Sequence, residues 1–377
     1  MNLADLIIDR IKQNETISFR DYMDMALYHG DLGYFTSSNT IGKKGDFFTS
    51  PFISSAFGAM IGRQIEEFRK QISGDFTIIE YGAGTGLLCY DILEYLKLNH
   101  EGFKSIRYVI IEKSSVLRKI SQKYLGRRVA WLDDISELGK VNGCVISNEL
   151  FDNFPVHRMV RQNQQFMEVF VDYQNGFKEI LKPAKKDIVN VFDYNQIDFP
   201  DGFCTEVCAD AMEWYKKVSE VLDRGYIMTI DYGYLLEELL QQQRTLGTIR
   251  CYHKHQVNFD LYQRPGEQDI TSDVNFSSLC YWGSKNGFQF TGYVSQNHFL
   301  RALGFVPYLS DMNDRQENKI YAFTTLLNKM GKQFKVLIQH KNVSSSPLSG
   351  LTFQQPEEKR LCLAARREEV KSPVSFQ

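Results

Sequence analysis

From Asp75 onward, the sequence predicts an α/β fold with a mainly parallel sheet and helices on both of its faces. Two observations carry this prediction: strand-like apolar runs alternate with helix-like segments, and the first of these runs ends in a glycine-rich turn. In such folds the carboxyl ends of the strands form the ligand-binding edge. Strands are expected near residues 76–80, 107–112, 128–132, 143–147, 226–231, 287–292 and 334–340.

A glycine-rich turn follows the first predicted strand. The segment IIEYGAGTG, Ile78 to Gly86, is an apolar run that ends in Glu80 and continues through Gly82 and Gly84 toward a predicted helix. Glycines allow positive φ and the close approach of a ligand, and a helix N-terminus offers free N–H groups. The spacing E-x-G-x-G-x-G differs from the G-x-G-x-x-G of dinucleotide sites. A carboxylate at the strand tip suits the cationic end of S-adenosyl-L-methionine (SAM) and would repel a pyrophosphate; a turn without ligand is the alternative.

Acidic residues follow the next two predicted strands. Glu112 ends the run RYVIIE, 26 positions after Gly86, close to where a doubly wound nucleotide fold places its ribose-binding acid. Asp133, beside Asp134, follows the third run, where an adenine-contacting acid is expected. We therefore predict that Glu112 binds the ribose and Asp133 contacts the adenine. The alternatives are a solvated glutamate at a strand end and helix-capping aspartates.

A further polar motif, NELFDNFP, follows the fourth predicted strand. It contains Asn148 and two carboxylates, Glu149 and Asp152, at the edge where open α/β sheets place their active sites. A transferase that acts on a guanidinium group needs acids that pair with it, because such pairing orients the group and draws positive charge away from the attacking nitrogen. We predict these three residues as catalytic. The alternative is that Asn148 and Asp152 cap and start a helix.

The regions outside the predicted sheet suggest a division of the chain. Residues 1–74 are expected to form a helical cap with a glycine-rich loop, and residues 75–345 a catalytic domain with insertions at about 156–203 and 234–274. The first insertion begins as a β-hairpin, because alternation flanks a polar turn. Residues 346–377 are expected to be a partly disordered extension.

Composition excludes several classes of protein. The chain has 377 residues, and its 44 basic and 46 acidic residues give a net charge of −2, so we expect no nucleic acid as a partner. The longest apolar runs are as short as single strands and do not reach the roughly 20 residues of a membrane span. We therefore expect that the chain is not a membrane protein. Because neither a signal peptide nor an arginine-rich presequence precedes the first amphipathic helix, we expect a cytoplasmic location.

Cysteine and histidine spacing does not predict a metal site. The cysteines are odd in number and scattered, which indicates reduced thiols. Cys251, His253 and His255 alternate as on one strand face, and Cys204 and Cys208 are spaced as on one helix face. A zinc site needs three or four ligands, and neither set is complete.

Several separated motifs, taken together, resemble the MidA family of SAM-dependent methyltransferases. The resemblance runs from about Ser18 to Phe353, and the family's glycine turn commonly reads ELGPGRG, whereas Tyr81, Ala83 and Thr85 stand here. The motifs are LYHGDLGYF (Leu27 to Phe35), GDFFTSP (Gly45 to Pro51), the glycine turn, NELFDNFPVHR (Asn148 to Arg158), IDYG (Ile230 to Gly233), TIRCYHKH (Thr248 to His255), RPGEQDITSDVNF (Arg264 to Phe276) and MGKQFKVL (Met330 to Leu337).

The resemblance implies a Rossmann-like class I methyltransferase sheet and SAM as the cofactor. It also implies methylation of an arginine of a protein substrate, in the mitochondrial case a subunit of a respiratory complex; a homodimer is the expected assembly. The GDFFTSP loop is implied to close over SAM. The cofactor contacts then comprise Gly45, Asp46, Thr49, Ser50, Pro51, Glu80, Gly82, Gly84, Gly86, Glu112 and Asp133.

The sequence thus predicts a SAM-dependent methyltransferase that modifies a protein arginine. The alternative is a SAM-binding assembly factor that recognises a partner without turnover, because NELFDNFP lacks the two widely spaced glutamates of better-known arginine methyltransferases. The glycine spacing disfavours an NAD enzyme. If neither carboxylate of NELFDNFP acts, Arg250, His255 and Asp269 of the second insertion are the next candidates.

Overall fold

The computed structural model describes residues 2–37, 49–99, 105–189, 199–241, 247–254, 256–344 and 346–354. The strands are β1 Ile17–Ser18, β2 Phe76–Tyr81, β3 Ile106–Ile111, β4 Ala130–Leu132, β5 Val141–Asn148, β6 His157–Gln162, β7 Gln165–Tyr173, β8 Phe177–Pro183, β9 Cys204–Val207, β10 Leu222–Tyr234, β11 Arg250–His253, β12 Gln256–Asn258, β13 Asp269–Thr271, β14 Val274–Asn275, β15 Gln289–Ser295 and β16 Phe334–Lys341.

The helices alternate with these strands. They are α1 Leu3–Asn14, α2 Phe19–Tyr28, α3 Tyr34–Ser37, α4 Ser50–Ile53, α5 Ser55–Lys70, α6 Leu87–Asn99, α7 Ser115–Leu125, α8 Lys186–Val189, α9 Ala209–Val221, α10 Leu236–Gln241, α11 Phe276–Lys285, α12 Gln296–Ala302, α13 Phe305–Asp311, α14 Gln316–Phe323 and α15 Met330–Gln333, with a π-helix at Thr324–Lys329.

The central sheet confirms the predicted fold class. Its strand order is β15-β16-β10-β5-β2-β3-β4, with the short β14 beside β10. The strands β2, β3, β4, β5 and β10 are parallel, and β16 runs antiparallel between β10 and β15. The chain leaves β2 toward β3 in one direction and later returns to β5 on its other side. The strand order therefore reverses between β2 and β5, which is where doubly wound sheets bind their ligands.

Neighbouring residues of β2 explain why helices cover both faces of this sheet. Successive side chains of a strand point to opposite faces. Ile78 is buried in a core that includes Ile61 of α5 and Ile92 of α6, whereas Ile79 is buried in a separate core with Trp214 of α9. An apolar run without polar alternation is typical of a strand that is buried on both faces.

A second sheet forms beside the first. It has the order β1-β7-β6-β9, and β8 pairs with β7. The predicted hairpin is its centre, since β6 and β7 pair across the turn at residues 163–164. The sequence prediction missed β8 and β9, and it was wrong to place Cys204 and Cys208 on one helix: Cys204 lies in β9, and Cys208 precedes α9. A third, small sheet has the order β12-β11-β13.

The N-terminal helices do not stand apart from this second sheet. Ile7 of α1, Tyr22 of α2 and Val171 of β7 share one core with Cys251 of β11. The segment also reaches the start of α7, because Oγ of the capping residue Ser114 donates a hydrogen bond to the carbonyl of Phe35 at 2.6 Å. Among the described residues, no helix is long and apolar enough to cross a membrane.

The close approach of β2 and β5 depends on a glycine. Gly143 of β5 has a φ of +154°, and a Cβ there would lie 1.9 Å from the carbonyl oxygen of Thr77 in β2. We expect Gly143→Ala to reduce the free energy of unfolding by more than about 3 kcal/mol, because backbone atoms cannot move aside without breaking the sheet.

Chemical denaturation measures this loss. Gly139→Ala is the control, since Gly139 is exposed and nothing lies near its added methyl group; it should change the free energy of unfolding by no more than about 0.5 kcal/mol. Equal stability of the two variants would contradict the packing argument.

Candidate active site

A cavity of about 520 Å³ lies at the carboxyl edge of the central sheet, within the range of about 300–1,000 Å³ typical of small-molecule sites. The glycine turn and the residues that follow β3, β4 and β5 form one side of it. The start of α9 and the aromatic residues Tyr28 and Phe35 line the other. The strand-order reversal therefore coincides with a cavity large enough for a nucleoside cofactor.

The three glycines of the turn have different surroundings. All have positive φ, +68° at Gly82, +55° at Gly84 and +81° at Gly86. Gly82 and Gly84 line the cavity, but Gly86 does not. A Cβ at Gly86 would lie 2.9 Å from atoms of Ser121 and Leu125 in α7. The structure thus brings two glycines to the cavity and places the third where α7 packs closely.

Glu112 ties the glycine turn to the start of α7. It is buried and lines the cavity; its carboxylate accepts N–H bonds from Gly84 at 2.9 Å and Ser114 at 2.8 Å. Burial raises the pKa of Glu112, and these N–H groups oppose the rise. A fixed carboxylate at this edge of the cavity is suited to accept hydrogen bonds from ribose hydroxyls.

Glu80 is a second buried carboxylate on the cavity wall. It accepts a hydrogen bond from the Tyr108 hydroxyl at 2.6 Å. Burial raises the pKa of Glu80 to about 7, aided by the charge of Glu112 and opposed by Tyr108. A positively charged ligand group would favour the ionised form of Glu80. The cationic methionine end of SAM, predicted to bind at this strand tip, is such a group.

The two aspartates after β4 both line the cavity. The exposed Asp133 pairs with Arg118. Asp134 caps a short 3₁₀-helix at Ile135–Glu137 and lies 2.8 Å from Lys217 of α9. Hydrogen bonds from Lys217 and the capped turn lower the pKa of Asp134 to about 2. The capping alternative thus applies to Asp134. Asp133 lines the cavity after β4, where the sequence predicts an adenine contact.

The described end of the N-terminal loop reaches the same cavity. Thr49 and Pro51 line it. Ser50 is fully buried, and its N–H donates a hydrogen bond to Oε1 of Glu149 at 3.3 Å. Gly45 and Asp46 lie outside the described residues.

The NELFDNFP motif leaves β5 in an unusual conformation. Glu149 has a φ of +55°, which is uncommon for a residue with a Cβ. Glu149 and Asn148 line the cavity, and Nδ2 of Asn148 donates to Oε1 of Glu149 at 3.1 Å. In the described part of the chain, Oδ1 of Asn148 is buried without a hydrogen-bond partner. Desolvation, aided by the charge of Asp152, raises the pKa of Glu149 to about 8.

Asp152 is placed differently from Glu149. It is buried and not among the residues that line the cavity. Its Oδ2 accepts hydrogen bonds from the Tyr232 hydroxyl at 2.6 Å and the Thr271 hydroxyl at 3.1 Å. Burial raises the pKa of Asp152 to about 6, and these two hydroxyls oppose the rise. The helix-capping alternative fails for Asn148 and Asp152, since only a 3₁₀-helix at Phe151–Asn153 follows, after Leu150.

Of the residues behind the cavity, Asp231, Tyr232 and Thr271 received no role from the sequence, and Arg250 was named only as a next candidate. Asp231 and Tyr232 of β10 and Thr271 of β13 contact the NELFDNFP turn. Arg250 lies 4.8 Å from the centre of the Tyr232 ring and 2.8 Å from Asp273. These residues lie in the IDYG, TIRCYHKH and RPGEQDITSDVNF motifs. A motif by itself does not predict which distant turn its side chains contact.

The cavity fits SAM by its own chemistry. Gly82 and Gly84, both with positive φ, and Glu80, with a pKa of about 7, line one space. Backbone that a ligand can approach closely and a carboxylate that can become charged both suit a ligand with a cationic end. The described residues contain no group of three or more His, Cys, Asp or Glu side chains arranged to hold a metal ion; His255 lies outside them.

The fold and the cavity are those of an enzyme that takes its methyl group from SAM. The family model of S-adenosyl-L-methionine-dependent methyltransferases matches residues 60–294, and the chain belongs to this family. Family membership confirms the predicted resemblance and the prediction of SAM as the cofactor.

Similar proteins span most of the chain. "Protein arginine methyltransferase NDUFAF7, mitochondrial" from Rattus norvegicus is 26% identical over 388 residues, which cover 92% of this chain and 86% of the relative. The Homo sapiens protein of that name is 26% identical over 377 residues, which cover 89% of this chain and 82% of that protein. A COG1565 superfamily member from Burkholderia thailandensis, crystallised with S-adenosyl-homocysteine, is 28% identical with a TM-score of 0.84, covering 93% of this chain and 95% of that structure.

The predicted cytoplasmic location is wrong. The relatives from Rattus norvegicus, Homo sapiens and Drosophila melanogaster are all named as mitochondrial proteins. The prediction relied on the lack of a recognisable leader, and a missing pattern is weak evidence for a compartment.

Substitution of Gly84 tests the cofactor site. Gly84→Val should abolish SAM binding, because a branched side chain would enter the cavity and strain a backbone with positive φ. Gly74→Val is the matched control, since Gly74 has a φ of +85°, is exposed and has nothing near its Cβ position. Isothermal titration calorimetry on both folded variants decides the question; unchanged affinity in Gly84→Val would contradict the assignment.

The pH dependence of SAM affinity tests Glu80. A cationic ligand group favours the ionised carboxylate, and the pKa of Glu80 in the free protein is about 7. Below that pH a proton must leave on binding, so the affinity should fall by about tenfold from pH 8 to pH 6. Calorimetry of Glu80→Gln supplies the baseline, which should lack this component. Parallel pH profiles for the two proteins would contradict the role of Glu80.

Proposed function

We propose that the protein transfers a methyl group from SAM to an arginine side chain of a partner protein. The observation that carries the proposal is the carboxylate of Glu149 on the cavity wall, beside which Oδ1 of Asn148 is buried without a hydrogen-bond partner among the described residues. A guanidinium group presents several N–H donors in a planar fork. The names of the curated relatives, protein arginine methyltransferases, support the same acceptor.

The charges around these acceptors also favour a cationic substrate. Glu149 lies near Asp152, and burial raises the pKa of Asp231, aided by the charges of both carboxylates. Arg250 is the nearby cation, and it already pairs with Asp273. A guanidinium that enters beside Glu149 would bring the positive charge that the buried carboxylates lack, and pairing would favour the ionised form of Glu149.

Glu149 is suited to a second task. Bound SAM supplies an electrophilic methyl group on a positively charged sulfur. The acceptor nitrogen loses one proton for each methyl group that it gains. Oε1 of Glu149 already accepts bonds from Ser50 and Asn148, so Oε2 is the oxygen left to hold a guanidinium N–H and take the proton. Fixed alignment of the nitrogen then contributes through proximity and orientation.

Asn148 and Asp152 are proposed to support Glu149. Asn148 Oδ1 would accept a second guanidinium N–H, and Asp152, held by Tyr232 and Thr271, would add negative charge from behind the cavity. The finer predictions of a respiratory-complex subunit as acceptor, of a homodimer and of the domain boundaries at residues 74 and 345 remain proposals.

Transfer of labelled methyl tests the function. The full-length protein, incubated with SAM labelled on the methyl group and a mitochondrial extract, should label protein arginine, located by mass spectrometry. Glu149→Gln should leave SAM affinity nearly intact and lose on the order of 2 to 5 kcal/mol of productive binding, roughly 30-fold or more in rate. Asp152→Asn should lose less, because Asp152 does not line the cavity.

The control is Glu220→Gln, an exposed change in α9. Wild-type turnover in Glu149→Gln would contradict its guanidinium role. Label on another residue type would contradict the arginine acceptor, and SAM binding without any transfer would favour the assembly-factor alternative. Joint loss of SAM binding and activity would assign Glu149 to the cofactor instead.

A further inference from the structure

A carboxylate from a neighbouring strand binds the turn that carries Glu149. Asp231 of β10 is fully buried. Its Oδ2 accepts N–H bonds from Leu150 at 3.2 Å, Phe151 at 3.0 Å and Asp152 at 3.4 Å, and its Oδ1 accepts the N–H of Tyr232 at 2.9 Å. Burial raises the pKa of Asp231 well above its usual range, and the backbone N–H groups that it accepts oppose this rise and favour the ionised form.

We propose that Asp231 is a positioning residue for methyl transfer. By binding three successive N–H groups of residues 150–152, it fixes the left-handed conformation of Glu149 and so holds the Glu149 carboxylate at the cavity. The inference rests on the proposed function, because Glu149 is the group that is positioned.

The conformation of Glu149 requires such an anchor. A residue with a Cβ rarely adopts a φ of +55°, and a strained backbone persists only where its surroundings fix it. The N–H of Glu149 donates to the carbonyl of Ile230 at 2.9 Å. Four consecutive N–H groups, from residue 149 to residue 152, are therefore bound by two adjacent residues of β10.

The next residue of β10 extends the same support. The Tyr232 hydroxyl donates to Oδ2 of Asp152, and Arg250 lies against the Tyr232 ring. Ile230, Asp231 and Tyr232 thus hold the N–H groups of the turn and the side chain of Asp152. Ile230 of β10 pairs with Asn148 of β5. Because of this register, Asp231 and Tyr232 lie next to the turn that begins at Glu149.

Asp231→Asn tests the proposal in the full-length protein. Loss of the charge should speed amide hydrogen exchange at residues 150–152, since an amide cannot accept on both sides. The SAM dissociation constant should stay within about threefold, while kcat for the arginine acceptor falls at least roughly tenfold and by no more than it does in Glu149→Gln. The double variant Asp231→Asn/Glu149→Gln should be within about threefold of Glu149→Gln alone, because the two residues act through one group.

The control removes a buried carboxylate elsewhere. Glu168 of β7 is buried and bonded to His157 at 2.6 Å, and Glu168→Gln should keep the exchange at residues 150–152 and kcat unchanged. If Asp231→Asn does not fold, the wild-type protein still decides: amides 149–152 should exchange far more slowly than those of the exposed turn at residues 163–164.

Three results would overturn the proposal: fast wild-type exchange at residues 149–152, wild-type kcat in Asp231→Asn, or additive losses in the double variant. These differ from a failure of the proposed function. If the wild-type protein methylates no arginine, the arginine acceptor is wrong, while the exchange data still test whether Asp231 holds the turn.

Discussion

The burial of carboxylates at one edge of the central sheet is the constraint on which the site depends. Glu80, Glu112, Asp152 and Asp231 are all buried there, and Glu149 is enclosed beside them. A buried charge is costly unless it is paired or hydrogen-bonded. The structure meets this requirement mainly with N–H and O–H donors. The cations Arg250, Lys217 and Arg118 are each already paired with another acid, respectively Asp273, Asp134 and Asp133. The edge therefore keeps a deficit of positive charge, which suits two cationic ligands, SAM and the proposed guanidinium.

The hydrogen bonds divide these acids into two groups. Glu112 and Asp231 accept backbone N–H groups and hold the glycine turn and the NELFDNFP turn in place. Glu80 and Glu149 line the cavity, and their pKa values are raised to about 7 and about 8. Groups with such pKa values can change protonation when a cation arrives. Asp231 thus holds a turn without lining the cavity, whereas Glu112 holds a turn and also lines the cavity, where it is the predicted ribose contact.

The sequence predicted seven strands of the central sheet because each of them carries a local signal, and it missed the two-residue β14. The predicted 76–80 and 143–147 correspond to β2 and β5, where apolar runs end in candidate site residues. It missed β8, an edge strand whose exposed residues lack a continuous apolar face. It also gave Asp231 no role, since the contact with Phe151 joins residues 80 positions apart and depends on strand register. Local patterns predict elements and candidate residues, but they do not predict which distant strand holds a turn.

The conformation of Glu149 bears on whether the protein turns over or only binds SAM. A protein that only binds SAM would need the predicted cofactor contacts, the glycine turn, Glu80 and Glu112, but no glutamate with a φ of +55°. Left-handed backbone at such a residue costs on the order of 1–3 kcal/mol. The chain maintains it with four N–H bonds to β10 and leaves Oδ1 of Asn148 unpaired beside it. Strain and an unpaired acceptor gathered at one point of a cavity are typical of functional sites, and they favour a second ligand at Glu149 and, with it, catalysis.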